Sequence, residues 1–162
     1  MHGGAWLGGS KDRTQATRLL SKGYAVASIN YRLSQHAIFP AQIQDCKAAV
    51  RWLRANAKKH GIDPARFGVW GSSAGGHLVA LLGTAGDVEQ FDTGDNLHIS
   101  SRVQAVCDFF GPTDFTKMSS FFSAMDHDSP NSPESKLVGG PIQDNKDKCR
   151  AADPTTYVTQ DD

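Results

Sequence analysis

Arg66-Phe67-Gly68-Val69-Trp70-Gly71-Ser72-Ser73-Ala74-Gly75-Gly76-His77-Leu78-Val79-Ala80-Leu81-Leu82 decides the fold. Its first five residues form a short apolar run suited to a buried strand, and residues 78–82 continue as an apolar helix. Between them, residues 71–75 read G-x-S-x-G, with Ser73 at the turn. A serine held between a strand and a helix in this pattern marks a nucleophile elbow.

Each small residue has a physical reason. A serine at a tight strand-to-helix turn carries strained backbone angles, so its neighbours must lack bulk, and Gly71, Ala74 and Gly75 meet that need. The helix that begins at Ala74 points free N–H groups and its positive dipole end at the place where negative charge would develop on a substrate oxygen. Gly76 lets that helix lie close to the sheet.

The chain opens with His2-Gly3-Gly4-Ala5-Trp6, a loop like the glycine-bearing oxyanion loops of esterases and lipases. In that arrangement the N–H groups of Gly3 and Gly4 join that of Ala74 around a tetrahedral oxyanion. Each such donor is typically worth about 2.7–4 kcal/mol of transition-state stabilisation. His2 itself reads as an anchor for the loop, not as a base.

Around these motifs, strands and helices alternate. Asp12 to Lys22 reads as a helix with Ala16, Leu19 and Leu20 on one face and Gly23 as a left-handed cap. Tyr24 to Asn30 is a small-apolar run typical of a parallel strand covered on both faces. Pro40 opens a helix whose apolar positions Ile43, Cys46, Val50, Leu53 and Ala57 recur every three or four residues, with Lys58 and Lys59 at its negative end and Gly61 beyond. Val103 to Phe110 supplies a further strand. This order predicts an α/β fold, a doubly wound, mostly parallel sheet with helices on both faces. Residues 111–153 change texture, rich in Pro, Ser, Asp, Asn and Gly with scattered phenylalanines, and read as a cap or lid inserted over the site. Phe115, Met118, Phe121, Phe122 and Met125 there suit either an acyl or aromatic pocket or the core of a short helix.

The chain resembles the α/β-hydrolase superfamily, and within it the hormone-sensitive-lipase-like and feruloyl- and acetylxylan-esterase-like branch. The resemblance rests on HGGAW at 2–6, INYRLS at 29–34, FPAQIQDCKAAVRWLRANA at 39–57, DPARFGVWGSSAGGHL at 63–78, FFGPTDF at 109–115 and DPTTYV at 153–158. Ala5 stands where lipase-type loops often carry a third glycine. The resemblance implies a serine carboxylic-ester hydrolase acting through an acyl-enzyme on neutral short-chain or aromatic acyl esters. It assigns Ser73 as nucleophile and Gly3, Gly4 and Ala74 as the oxyanion hole. In that family the triad runs serine, acid, histidine along the chain, the last two after later strands. Residues 1–162 therefore read as an internal portion of a single hydrolase domain, truncated at both ends, with the acid and the histidine outside it. Two other readings remain: a non-catalytic scaffold that associates with itself through exposed sheet edges, and a serine amidase or peptidase on the same fold.

With 17 basic and 17 acidic residues the net charge is zero, which gives no attraction for nucleic acid or an anionic membrane. No apolar stretch approaches the length of a membrane span, and the start lacks the character of a signal peptide. The partner expected is a small-molecule ester. The three cysteines have no metal-ligand spacing, so no metal or other cofactor is expected. Cys46 and Cys107 read as buried free thiols and Cys149 as exposed and oxidisable.

Of the histidines, His77 lies one helical turn after Ser73, so its ring runs beside the helix and away from the serine oxygen. A structural hydrogen bond suits it better than base catalysis. His98 and His127 sit in polar loops near Asp108, Asp114, Asp126 and Asp128, and no spacing singles out a pair. Asp114 reads as a turn cap, and His36 and His60 as solvated.

Overall fold

The computed structural model describes residues 1–12, 14–121 and 123–162. The strand–turn–helix reading is met by β1 (Gly68–Ser72) and the helix Ala74–Thr84 that follows it directly. β1 pairs in parallel with β2 (Ala105–Phe109), Gly68 opposite Ala105 and Ser72 opposite Phe109. Among the described residues these two strands are the whole sheet.

Ahead of β1 lie α1 (Ala41–Ala55) and the short α2 (Ala57–His60), and we number the helix Ala74–Thr84 as α3. α3 lies on the sheet because of glycines two turns apart. A Cβ on Gly76 would stand 2.2 Å from Asp108 Oδ1 and 2.9 Å from the Gly111 Cα, and one on Gly83 would stand 2.8 Å from Val106 Cγ2. The expected stripe of α1 is buried at Ile43, Cys46 and Val50, with Ala57 beyond it. Lys47 and Arg51 are buried on the same helix because their cations reach across to Asp92 and to backbone carbonyls of residues 85–95.

Two expectations near the start are corrected. Gln15–Lys22 is a 3-10 helix that begins after Thr14, whose Oγ1 accepts from Ala16 N–H. Its cap is as expected, Gly23 at φ 82°. Of its apolar face Ala16 is buried while Leu20 stays exposed, and position 13 of the expected helix lies outside the described residues. Residues 24–30 form no strand, because a strand exists only by pairing and no described segment pairs with them; Tyr24 is 64% exposed.

Residues after β2 carry α4 (Pro133–Val138) and α5 (Lys146–Ala152), with 3-10 turns at Phe115–Ser120, Ile142–Asp144 and Pro154–Tyr157. Phe115, Leu137, Val138, Ile142 and Ala152 join the same apolar core as Trp6, Leu78 and Leu81. Cys149 joins it too, with 1% of its surface exposed. The expectation of an exposed, oxidisable thiol is thus overturned: polar neighbours along the chain hid a residue on the inward face of α5. Cys107 is half-buried, not fully so. Phe115 packs in the core, edge-on to Trp6, whereas Phe121 and Met125 are exposed and Met118 is partly buried against the core. Phe122, named with them as a pocket candidate, lies outside the described residues. No described helix is long and apolar enough to cross a membrane.

Candidate active site

Ser73 sits between β1 and α3 with φ 53° and ψ −123°, a left-handed backbone that costs a non-glycine residue on the order of 1–3 kcal/mol. The turn is held by Ser73 N–H donating to Phe109 O at 2.9 Å and His77 N–H donating to Ser73 O at 3.0 Å. It closes only because its neighbours lack side chains: a Cβ on Gly71 would stand 2.1 Å from Gly75 O.

The residues of the opening loop come to this turn from far away in the chain. A Cβ on Gly3 would stand 2.9 Å from Ser72 O and 3.4 Å from the Ser73 Cβ, and one on Gly75 would meet the carbonyl oxygens of Met1 and His2 at 2.5 and 2.6 Å. The loop therefore rests on the first turn of α3 through backbone alone. Gly4 at φ 113°, Ala5 at φ 55° and Trp6 at φ 56° carry it round a left-handed bend, closed by Leu7 and Gly8 N–H donating to Gly4 O. Among the described residues, the N–H groups of Gly3, Gly4 and Ala74 find no acceptor within the chain. The 11-residue helix α3 directs its own N-terminal partial positive charge at the same place. Ser73, Gly3 and Ala74 are thus brought together, with Gly4 beginning the bend beside them.

The histidines are placed elsewhere. His2 stacks on Tyr31, ring centroids 4.3 Å apart, and its Nδ1 stands 2.8 Å from Gly3 O, an anchoring role. His77 is fully buried with Nε2 at 2.7 Å from Ala152 O, and burial pushes its pKa from 6.5 down to about 4, so the ring is neutral and donates. His36, His60 and His98 are exposed. Asp114 caps its turn by accepting from Thr116 N–H, and that network with Thr116 and Lys117 holds its carboxyl below the usual range. Asp126 and Asp108 accept from the backbone N–H of Asp128 and Gly111, and Asp128 accepts from Gln143.

The one imidazole–carboxylate approach among the described residues joins His127 Nδ1 to Glu134 Oε2 at 3.1 Å, with Ser123 Oγ 3.2 Å from the other ring nitrogen. Sequence spacing did not single it out: Glu134 lies in the first turn of α4 behind the Ser132 cap, and only the fold brings it to His127. Ser123 Oγ is also engaged locally, accepting from Met125 N–H.

The BD-FAE family model matches residues 1–162. The chain is 34% identical over 163 residues to the probable carboxylic ester hydrolase LipM of Mycobacterium tuberculosis, which covers 98% of this chain and 37% of LipM. It spans, then, a little over a third of that relative. Among solved structures it superposes with a TM-score of 0.90 and 39% identity on a protein described as bifunctional GH43-CE from Bacteroides eggerthii, over 99% of this chain and 22% of that one. A truncated form of a carbohydrate esterase from gut microbiota gives a TM-score of 0.89 and 38% identity over 99% of this chain and 61% of that one. The strand–elbow–helix unit, the glycine loop resting on it and a family match along all 162 residues agree: the chain belongs to the BD-FAE family, on the α/β-hydrolase fold.

Proposed function

We propose that this chain carries the nucleophile and the oxyanion hole of a serine carboxylic-ester hydrolase. The observation that carries the reading is the left-handed Ser73 at the head of α3 with the Gly3 backbone against it. Ser73 Oγ attacks the ester carbonyl carbon and its proton passes to a general base. The carbonyl oxygen takes the negative charge and is held by the N–H groups of Gly3, Gly4 and Ala74, which need no reorganisation to receive it. The ester C–O bond then breaks, the alcohol leaves with a proton, and water releases the acid from the acyl-serine.

Among the described residues no histidine nitrogen bonds to Ser73 Oγ. The general base and its carboxylate partner are therefore assigned to a part of the protein outside these residues, in keeping with the 37% share of LipM that the chain covers. The substrate class is a neutral ester with a short or aromatic acyl group. The resemblance to a carbohydrate esterase favours a carbohydrate as the alcohol. Residues 111–153 are read as the cap of this site, supported by the packing of Phe115 against Trp6 of the glycine loop.

Labelling of the longest folded form of the protein with a fluorophosphonate, read by intact mass and peptide mapping, tests the assignment. An adduct on Ser73 that disappears in Ser73→Ala supports it. If that longer form is folded and takes no adduct, Ser73 is not an activated nucleophile, and the scaffold reading holds for these residues.

A further inference from the structure

Within the proposed hydrolase, we infer that Tyr31 is a positioning residue that sets the height of the oxyanion loop over Ser73. The Tyr31 hydroxyl donates to the carbonyl oxygen of His2 at 2.9 Å, and its ring stacks on the His2 ring. That same His2 carbonyl lies against Gly75, where a Cβ would approach it to 2.6 Å. One peptide group is thus gripped between the first turn of α3 and a phenol, and the next residue along the chain is Gly3.

Two further bonds from the same segment hold the other end of the loop. Ser34 N–H donates to Trp6 O at 2.8 Å, and Gln35 Nε2 donates to Leu7 O at 3.1 Å. Residues 31–35 therefore grip residues 2–7 at both ends, leaving the Gly3 and Gly4 N–H groups free between the grips. Tyr31 is itself fixed, being 4% exposed. Burial pushes its phenol pKa up, which favours the protonated hydroxyl that donates this bond. The geometry gives the NYRLS segment a role: it is the far wall against which the glycine loop is set.

The position of such a loop matters because donors must meet the oxyanion, not the ground-state carbonyl, and a shift near 1 Å can cost on the order of a hundredfold in rate. Tyr31→Phe keeps the ring and its stacking and removes only the hydroxyl. Three readouts are taken on the longest folded form of the protein: p-nitrophenyl acetate turnover, the pH profile of kcat, and hydrogen exchange by mass spectrometry. The expected result is a fall in kcat between about ten- and a hundredfold, with KM and the shape of the pH profile unchanged. Exchange should become faster in residues 2–8 but not in 68–84. Tyr157→Phe is the control, since it loses a comparable bond to Ala151 O, 2.8 Å long and outside the loop; it should lower stability and leave kcat alone.

Unchanged kcat with unchanged exchange at 2–8 overturns the inference, and so does an equal effect of Tyr157→Phe. Turnover that persists in Ser73→Ala would instead overturn the hydrolase reading. Exchange at 2–8 would still decide whether Tyr31 sets the loop.

Discussion

His77 Nε2 donates across 2.7 Å to the carbonyl oxygen of Ala152, joining the helix behind the elbow to a residue 75 positions later. The ring is wholly buried, and burial, only partly offset by that bond, lowers its pKa from 6.5 to about 4. In the window between those values the unfolded chain binds a proton that the folded chain refuses, so stability falls as the pH drops through it and is level above it. The loss amounts to roughly 3 kcal/mol once pH 4 is reached. Urea unfolding of the parent and of His77→Gln from pH 7.5 to 4.5 checks this. The stability difference between the two should narrow on acidification, and a constant difference would refute the neutral buried imidazole.

Gly75 is the point at which the glycine loop touches the nucleophile helix. A methyl group there would meet two backbone carbonyls, at 2.5 and 2.6 Å, neither of which can rotate away. In the longest folded form of the protein, Gly75→Ala should therefore destabilise the fold by about 1–3 kcal/mol and suppress fluorophosphonate labelling by more than that loss explains, because the loop is lifted from Ser73. Labelling rates measured on fully folded samples separate the two effects. Normal labelling in a destabilised variant would show that the loop does not need this contact.

Asp92 holds two buried cations. Lys47 Nζ lies 3.0 Å from its Oδ2 and also donates to Ala85 O and Val88 O, while Arg51 reaches its other oxygen. Burial pulls the Lys47 pKa down, and Asp92 works against that pull. Removing the carboxylate, itself 26% exposed, leaves two buried cations with no counter-charge but with water at hand, so Asp92→Ala should cost about 3 kcal/mol, the low end for breaking a buried pair, and Lys47→Met, which removes one of those cations, should cost less. Denaturant midpoints of the two variants give the order directly.

Cys46 and Cys149 are buried, the Cys149 thiol pushed up to about 11 mainly by desolvation, whereas Cys107 is half-buried on β2. Iodoacetamide at neutral pH should therefore modify Cys107 first and reach the other two only after denaturation, as peptide mass mapping would record.

What was legible in the sequence was local. The elbow could be read because a left-handed serine demands small neighbours on both sides, and Gly71, Ala74 and Gly75 are those neighbours. The stripe of α1 and the left-handed caps at Gly23 and Gly61 are local in the same sense. What stayed hidden depends on distant partners. Residues 24–30 have a strand's composition, but pairing is decided elsewhere. Cys149 sits among charged neighbours and is buried by the way α5 faces the core. Lys47 and Arg51 share the inward side of α1 only because carbonyls of residues 85–95 lie opposite them. At the site, the glycine motif predicted that residues 3 and 4 approach Ser73, yet nothing local to it showed that Tyr31, Ser34 and Gln35 would grip the loop.

The face of the sheet away from α3 carries the last prediction. β1 and β2 place Trp70, Cys107 and Phe109 on that side, with the Arg18 guanidinium over the Trp70 ring at 5.7 Å. Phe109 is 38% and Phe110 79% exposed. Among the described residues β2 pairs with β1 alone, so its other edge keeps unpaired backbone groups. An open parallel edge beside exposed phenylalanines is a surface that a second copy can cover, both by extending the ladder and by burying the rings. We expect the 162-residue chain to sediment as a concentration-dependent mixture of monomer and larger species. Phe110→Lys should shift the mixture toward monomer by adding a charge at the strand end without touching the core. A chain that remains monomeric over the whole concentration series, or whose association ignores Phe110→Lys, would show that this face is not the one that binds.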